Sequence, residues 1–196
     1  MGFRVLRFGL LASVPFFFSV TAAYGQLHKY SDFKDNILAP YVNSPEHAID
    51  KMLQMANLRS GQTLYDLGCG DGRILIAAAE RYKVRGVGIE ISESLAKTAA
   101  EKVRKAGLQS QVKIVHANFM HMDLSPADVV TLYLATSANE NLRPNLERYL
   151  HPNARVISYD YPIPGWKPLD KSESESRRGA NHVIYLYEVP NSIPKK

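Results

Sequence analysis

The chain of 196 residues contains a single cysteine, Cys69, and this scarcity excludes two classes of protein. One cysteine cannot form an internal disulfide, and it cannot supply the thiolate cluster of a structural metal site. We therefore expect no metal centre of that kind. A small residue that fits its loop is the simplest interpretation of Cys69, and a reactive thiol is the alternative.

Long basic runs are also absent. The net charge is +5, and no run of basic residues is longer than a pair such as Arg177-Arg178 or Lys195-Lys196. Nucleic-acid-binding proteins concentrate basic residues in patches or stripes, so this pattern predicts no nucleic-acid partner. The length suits one domain with a substantial core.

The glycine-rich stretch lacks two familiar phosphate-binding spacings. Residues 66–72 read D-L-G-C-G-D-G, which is neither G-x-G-x-x-G nor a loop ending in G-K-S/T. An apolar strand (62–67) is predicted before it and an Ala-rich helix (73–82) after it. Its glycines permit positive φ and close approach of a ligand, and a helix N-terminus favours an anionic or electron-rich group. The stretch predicts a ligand cradle.

A second acid completes this site. Glu90 ends the next predicted strand (85–90) and lies 20 residues beyond Gly70. Because ligands of open parallel sheets bind at the carboxyl ends of strands, Glu90 could accept both hydroxyls of a ribose there. The alternative is an acid that faces water at a strand end. Together, the glycine-rich stretch and Glu90 predict a nucleoside ligand that is bound without a lysine to contact a phosphate group.

D-L-G-C-G-D-G followed by V-G-I-E (87–90) resembles the cofactor site of class I S-adenosylmethionine methyltransferases. The resemblance implies that S-adenosyl-L-methionine is the cofactor. It also implies an adenine site after the third strand, where Asn118 stands in place of the more common Asp and Phe119 is the apolar neighbour; an Asx turn is the alternative role of Asn118. The implied cofactor-binding residues are Asp66, Gly68, Cys69, Gly70, Gly72, Glu90, Ile91, Asn118 and Phe119.

Strands alternate with helices along most of the chain, which predicts an α/β fold with a parallel sheet. We expect a Rossmann-like methyltransferase fold, a mostly parallel sheet flanked by helices. Residues 161–180 are predicted to form a loop, so the fold is abbreviated at its C-terminal end. The remaining strands are predicted at 111–116, 127–134, 154–159 and 182–189, the last antiparallel, and the remaining helices at 45–58 with Ser44 as its N-cap, at 92–106 and from about 144 to 150.

The N-terminal residues differ in character from the rest. A basic start precedes an apolar run (8–23), which predicts a signal or membrane-targeting segment over residues 1–25 and an exported or membrane-associated protein. A cytoplasmic protein or an organelle-side anchor is the alternative, because S-adenosylmethionine is kept in the cytoplasm. We divide the rest into a linker and entrance segment (26–44), the methyltransferase domain (45–190) and a tail (191–196).

Two further stretches, V-V-T-L-Y-L (129–134) and N-L-R-P (141–144), resemble the small protein-lysine methyltransferases of the adenine nucleotide translocase and ATP synthase c-subunit group. This resemblance implies a protein substrate with a lysine acceptor. Tyr133 and Tyr41 are predicted to line the acceptor channel; both could instead be packing residues. The alternatives are a small-molecule or lipid-like acceptor, or a non-catalytic module that binds the cofactor. Among the remaining polar candidates, the three histidines His116, His121 and His151 are interpreted as surface or corner residues. Asp123 and Asp128 are interpreted as solvated.

Overall fold

The computed structural model describes residues 44–175 and 181–194. Within them, seven strands form one sheet of order β3-β2-β1-β4-β5-β7-β6. The elements are α1 (Glu46–Met55), β1 (Thr63–Leu67), α2 (Arg73–Tyr82), β2 (Arg85–Glu90), α3 (Glu93–Lys105), β3 (Val112–His116), β4 (Val129–Leu132), α4 (Thr136–Tyr149), β5 (Arg155–Tyr159), β6 (Asp170–Glu175) and β7 (Asn181–Glu188).

Strands β1 to β5 pair in parallel, whereas β7 pairs antiparallel with both β5 and β6. Every residue of β1 and β4 is buried, as expected for strands covered by helices on both faces. Successive β1 residues contribute to different clusters: Leu64 belongs to the one that includes α1 and α2, and Tyr65 to the one that includes α4. The predicted mostly parallel α/β fold is confirmed.

The helices next to the glycine-rich stretch have the predicted extents within a residue or two. The side chain of Ser92 accepts a hydrogen bond from Leu95 N–H and caps α3. The prediction that Ser44 caps α1 is wrong, because Pro45 occupies the cap position and no side chain caps that helix. Ser44 is instead buried, and its carbonyl accepts a hydrogen bond of 3.2 Å from Arg73 Nη1.

Helix α4 begins at Thr136, well before the predicted start near residue 144. The prediction placed Pro144 at the start of the helix, where its missing N–H costs nothing. Leu142 and Leu146 are fully buried on either side of this proline. Their packing stabilises the helix through the proline.

The predicted loop at 161–180 contains a strand, because residues 170–175 form β6 at the edge of the sheet. Its sequence, D-K-S-E-S-E, is polar because an edge strand pairs on one side only and charged side chains protect the other. Residues 160–175 contain no helix. The C-terminal end of the fold is therefore shortened by a missing helix, while the sheet keeps all seven strands.

Residues 191–194, assigned to the tail, fold back onto the domain. Ser192 is buried, its side chain accepts a hydrogen bond from Glu188 N–H, and its carbonyl accepts one from Lys167 N–H. The predicted signal or targeting segment and Tyr41 lie outside the described residues. Within residues 44–175 and 181–194, each helix falls short of the length and apolar character that a membrane span requires.

Candidate active site

The glycine-rich stretch forms a tight loop (68–72, the glycine loop) at the carboxyl end of β1. The N–H groups of Gly68 and Cys69 both donate to Ile89 O, at 2.8 and 3.1 Å, which fixes the loop to the end of β2. All three glycines have positive φ, between 54° and 79°. A Cβ at Gly72 would lie 3.2 Å from Ala99 Cβ on α3, so no side chain separates the loop from that helix.

Glu90 faces this loop and not the solvent, as the spacing predicted. Its side chain is buried, and Gly70 N–H donates to Oε2 at 2.8 Å while Ser92 N–H donates to Oε1 at 2.9 Å. A carboxylate has about four acceptor positions, so two remain for a ligand's hydroxyl groups.

Asp66 is 3% exposed on the neighbouring strand. Its Oδ1 accepts a hydrogen bond of 2.8 Å from Thr131 Oγ1, whereas its Oδ2 has no hydrogen-bond partner among the described residues. Burial raises the pKa of Asp66 to about 7, against the effect of the Thr131 hydrogen bond and with a further contribution from the charge of Glu90. A buried carboxylate oxygen without a partner is costly, and a cationic ligand group would stabilise it.

Asp71, between the second and third glycines, has a role that sequence reasoning missed. Its carboxylate pairs with Arg73 at 2.8 Å and with Lys102 of α3 at 2.5 Å. Burial alone would raise the pKa of Asp71, but these two cations outweigh it and hold that pKa below its usual range. Because Arg73 also binds the carbonyl of Ser44, Asp71 anchors the glycine loop to α3 and to the segment that precedes α1.

The Cys69 side chain is buried beneath the loop, where its Sγ lies 2.7 Å from the position that a Cβ of Gly88 would take. Burial raises the pKa of this thiol well above its ordinary value. The placement favours the packing interpretation over a reactive thiol, and leaves the backbone as the part of Cys69 that a ligand could contact.

The predicted adenine site follows β3. Asn118 Oδ1 accepts a hydrogen bond of 2.9 Å from Met120 N–H and caps a short 3-10 turn, so its Asx-turn role is realised. A second lone pair of that oxygen can still accept from a ligand. Phe119 is buried in the same cluster as Ile89. Ile91 is partly exposed after β2, and its carbonyl lies 3.0 Å from Nε2 of His116.

Two of the remaining polar candidates connect neighbouring parts of the fold: His116 at a corner, as one of its two interpretations has it, and Asp128, which was interpreted as solvated. His116 is half-buried and joins the ends of β3 and β2 through the contact with Ile91. Asp128 accepts a hydrogen bond of 2.7 Å from Thr63 N–H at the start of β1. Local sequence gave no indication of either partner, because both lie on other strands or strand ends.

Aromatic rings gather at the carboxyl ends of β4 and β5 and against the neighbouring strand β7. The ring of Tyr133 meets that of Tyr159 edge to face at 4.7 Å and stacks on that of Tyr161 at 6.3 Å, measured between centroids. Tyr159 in turn stacks on His182 of β7 at 5.3 Å. Burial, followed by the charge of Asp160 and a hydrogen bond to it, raises the pKa of Tyr133 to about 12.

Asp160 lies at the centre of this group, and sequence reasoning missed it. Nδ1 of His182 lies 2.8 Å from one oxygen of its carboxylate and 2.9 Å from the other, and Val183 N–H donates to it at 3.3 Å. Residues 158–161 read S-Y-D-Y, which differs from the usual end of the fifth strand in the resembled group, and this departure was the one available indication. Tyr133, Tyr159, Asp160, Tyr161 and His182 are called the aromatic cluster below.

The aromatic cluster and the glycine loop adjoin at the carboxyl edge of the sheet. Asp66 is in register with Thr131, and Thr131 with Ile157, so these three side chains share one face. Tyr133 and Tyr159 follow two residues later and pack against the buried cluster on that face. Leu134, the residue after Tyr133, contacts the glycine loop. Its Cδ2 lies 3.3 Å from the position that a Cβ of Gly68 would take.

Comparison with known proteins decides the family. Residues 66–171 match the family model of the ANTKMT methyltransferase domain. A protein-lysine N-methyltransferase of Saccharolobus islandicus is 41% identical over 151 residues, which are 76% of this chain and 93% of that protein. This chain belongs to the ANTKMT methyltransferase family. The adenine nucleotide translocase lysine N-methyltransferase of Mus musculus is 30% identical over 79% of the chain, which spans 65% of that relative's length.

Solved structures agree with the family. An RNA methyltransferase from Salinibacter ruber, in complex with S-adenosyl-L-homocysteine, superposes with a TM-score of 0.73 at 38% identity, over 79% of this chain and 98% of that one. A Thiobacillus denitrificans methyltransferase with the same ligand shares the fold at 16% identity and a TM-score of 0.55. This ANTKMT-family chain is an S-adenosylmethionine-dependent methyltransferase, which rules against the non-catalytic alternative.

Proposed function

We propose that this methyltransferase transfers the methyl group of S-adenosylmethionine to the side-chain nitrogen of lysine in a protein. The observation that carries the proposal is the position of the aromatic cluster beside the glycine loop, linked through Leu134 and Gly68. The names of the Saccharolobus and mouse relatives support the same acceptor.

The residues around the glycine loop fit the cofactor. Two acceptor positions of Glu90 remain for the ribose hydroxyls, and the unpartnered Oδ2 of Asp66 suits a cationic group. The loop backbone allows close approach, while Ile91, Asn118 and Phe119 follow the strands on the adenine side. When bound, the cofactor supplies a methyl group on a cationic sulfur.

Of the two tyrosines predicted to line the acceptor channel, Tyr133 is among the described residues. Its ring could hold an aliphatic amine by a cation–π contact, and its hydroxyl could accept a hydrogen bond from that amine. A lysine attacks only as the neutral amine, and removal from water beside aromatic rings lowers an amine's pKa. Orientation of that nitrogen toward the methyl group would supply much of the acceleration. The role of Tyr41 stays a prediction.

The Salinibacter relative makes RNA the competing acceptor class. The electrostatics of the aromatic cluster favour an amine over RNA. Asp160 places a carboxylate there, which repels a phosphate backbone and attracts a cationic lysine. The sequence also lacks an Asn-Pro-Pro-Tyr motif after β4, the arrangement associated with amide or nucleobase-amine acceptors.

Incubation of the purified full chain with methyl-labelled S-adenosylmethionine and host-cell lysate tests the acceptor. We expect label in protein bands and, after acid hydrolysis, in methylated lysine. A Glu90→Gln variant, impaired in cofactor binding, serves as the control and should leave those bands unlabelled at low cofactor concentration. Label confined to RNA or to the solvent extract would overturn the lysine assignment.

We propose further that residues 8–23 attach the protein to a membrane, which would place the enzyme near membrane-embedded acceptors. The apolar run after a basic start supports this. Cell fractionation of the full chain and of a variant without residues 8–23 tests it. The full chain should sediment with membranes and the deletion variant should not, and equal sedimentation of the two would contradict the proposal.

A further inference from the structure

Asp160 is held by groups from two other segments of the chain. Its carboxylate is paired with His182 and Val183 on β7 and faces the hydroxyl of Tyr133 beyond β4. An ionised carboxylate only accepts hydrogen bonds, so Nδ1 of His182 must carry the proton that points at Asp160. That bond fixes the orientation of the carboxylate relative to the aromatic rings.

The backbone at Asp160 is in the left-handed region, with φ of +63°. This conformation is uncommon for a residue with a side chain, though Asp and Asn tolerate it best. Asp160 N–H donates to Val183 O at 2.7 Å, and Tyr161 N–H donates to Tyr159 O at 2.8 Å, so hydrogen bonds on both sides hold the turn. Strained backbone held in this way is concentrated at functional sites.

The carboxylate remains accessible. The Asp160 side chain is 18% exposed and that of His182 is 23% exposed, and Tyr161 at the rim is 40% exposed. A partly exposed anion next to tyrosine rings is complementary to an alkylammonium group, which combines an apolar stem with a positive head.

We propose that Asp160 binds the acceptor amine and that His182 is the residue that positions it. This inference rests on the proposed function, since it assigns the group that recognises the lysine nitrogen at the same site. It predicts selectivity for alkyl amines over uncharged acceptors of the same shape.

The charge movement in the reaction explains why a carboxylate belongs there. The acceptor ammonium first releases one proton to water. The nitrogen lone pair then forms the bond to the methyl carbon while the carbon–sulfur bond breaks, and that electron pair stays on sulfur, which becomes a neutral thioether. Positive charge therefore moves from sulfur to nitrogen. An anion beside the nitrogen attracts the acceptor and also stabilises the charge that develops in the transition state.

Two probes that need no identified acceptor protein test the assignment. Both are analogues of S-adenosylhomocysteine in which a nitrogen atom replaces the sulfur and carries a short alkyl chain. The chain ends in a primary amine in one probe and in the uncharged acetamide of that amine in the other. Isothermal titration of the full chain should give at least tenfold tighter binding of the amine probe. Equal affinity of the wild-type chain for the two probes would overturn the proposal without any variant.

Asp160→Asn is the matched variant, because Asn tolerates the same backbone conformation and removes only the charge. It should bind both probes within about twofold of each other while its affinity for S-adenosylhomocysteine is unchanged. Retention of the full preference for the amine in this variant would overturn the role of Asp160.

His182 is tested by rescue. His182→Leu removes the donor and should lose most of the preference for the amine probe, whereas His182→Asn keeps an N–H donor near the position of Nδ1 and should restore it. Equal preference in these two variants would contradict a positioning role. A wild-type chain that prefers the amine probe but labels only RNA in lysate would instead refute the protein acceptor, so the two failures are distinguishable.

Discussion

The glycine loop and the aromatic cluster lie side by side but are built in different ways. The N–H groups of the loop donate to Ile89 O and to the Glu90 carboxylate, and Asp71 adds ion pairs that anchor the loop. The two carboxylates at the adjoining strand ends, Asp66 and Glu90, are only 3% and 6% exposed. The aromatic cluster is assembled from side chains of three segments, and several of them are partly exposed.

This difference indicates a division of labour. Main-chain contacts and positive-φ glycines leave little freedom to vary, which suits a cofactor that is the same in every S-adenosylmethionine-dependent methyltransferase. Side chains at strand ends can change without disturbing the sheet, which suits an acceptor that differs between relatives. If so, substitutions in the loop should abolish cofactor binding, while substitutions in the cluster should alter acceptor use with binding of the cofactor intact.

The largest expected effect is that of Gly88→Val, beneath the loop. A Cβ at Gly88 would lie 2.6 Å from Leu75 Cδ1 and 2.7 Å from Cys69 Sγ. We expect about 1–3 kcal/mol lower free energy of unfolding from overpacking, measured by urea denaturation, and a loss of S-adenosylhomocysteine affinity by titration calorimetry because Cys69 is displaced.

Gly86→Val on the same strand is its control. A Cβ there would lie 3.0 Å from Leu75 Cδ2 and away from the loop. It should destabilise the fold but keep the affinity for S-adenosylhomocysteine. Equal loss of affinity in both variants would show that binding depends on overall stability and not on the loop.

Glu90→Gln should weaken S-adenosylhomocysteine binding by about 10- to 100-fold, because a charged hydrogen-bonding group is worth about 1.5–3 kcal/mol. Calorimetry measures the change. Glu93→Gln provides the comparison, since Glu93 is exposed and pairs with Lys97 four residues along the same helix. Similar affinities in the two variants would mean that Glu90 does not contact the cofactor.

Tyr133→Phe should lower the rate of methyl transfer about 2- to 10-fold, the range for loss of one neutral hydrogen bond, with unchanged affinity for S-adenosylhomocysteine. The ring remains, and the hydroxyl that faces Asp160 is lost. Initial rates on the labelled acceptor band measure this, with Tyr149→Phe on α4 as the control. An equal fall in the affinity for S-adenosylhomocysteine would show that Tyr133 acts in cofactor binding rather than in acceptor binding.

A separate effect, on stability rather than on binding or rate, is a pH dependence of the free energy of unfolding that originates in Asp66. Its pKa rises from 3.8 to about 7 on folding, so the folded protein binds more protons than the unfolded chain between those values. The contribution of Asp66 to stability is present below pH 3.8 and is lost as the pH rises through about 7.

Urea denaturation of the ligand-free protein at pH 5, 6.5 and 8 measures this dependence. As the pH rises from 5 to 8, the free energy of unfolding of the wild-type chain should fall relative to that of Asp66→Asn. Parallel pH profiles would contradict a proton held at Asp66.

The contrast between the glycine loop and the aromatic cluster also explains how much of the site could be predicted from sequence. Strand 85–90, helix 73–82 and the packing of Glu90 on the loop were predictable because a short motif with strict spacing specifies them. The Asp160–His182 pair was not, because β5 and β7 become neighbours only through the order of the sheet.

Two elements were missed for related reasons. Helix α4 runs through Pro144 because buried leucines on both sides outweigh the local preference. Strand β6 is too polar for a hydrophobic pattern to reveal, and it forms because β7 offers an unpaired edge.

The most direct test of the two-part site is a crystal structure of the full chain with S-adenosylhomocysteine. We predict the ribose hydroxyls within hydrogen-bonding distance of the Glu90 carboxylate, and the sulfur on the side of the aromatic cluster, facing Tyr133 and Asp160. An adenosyl group bound away from Glu90, or a sulfur turned away from Tyr133 and Asp160, would contradict the account.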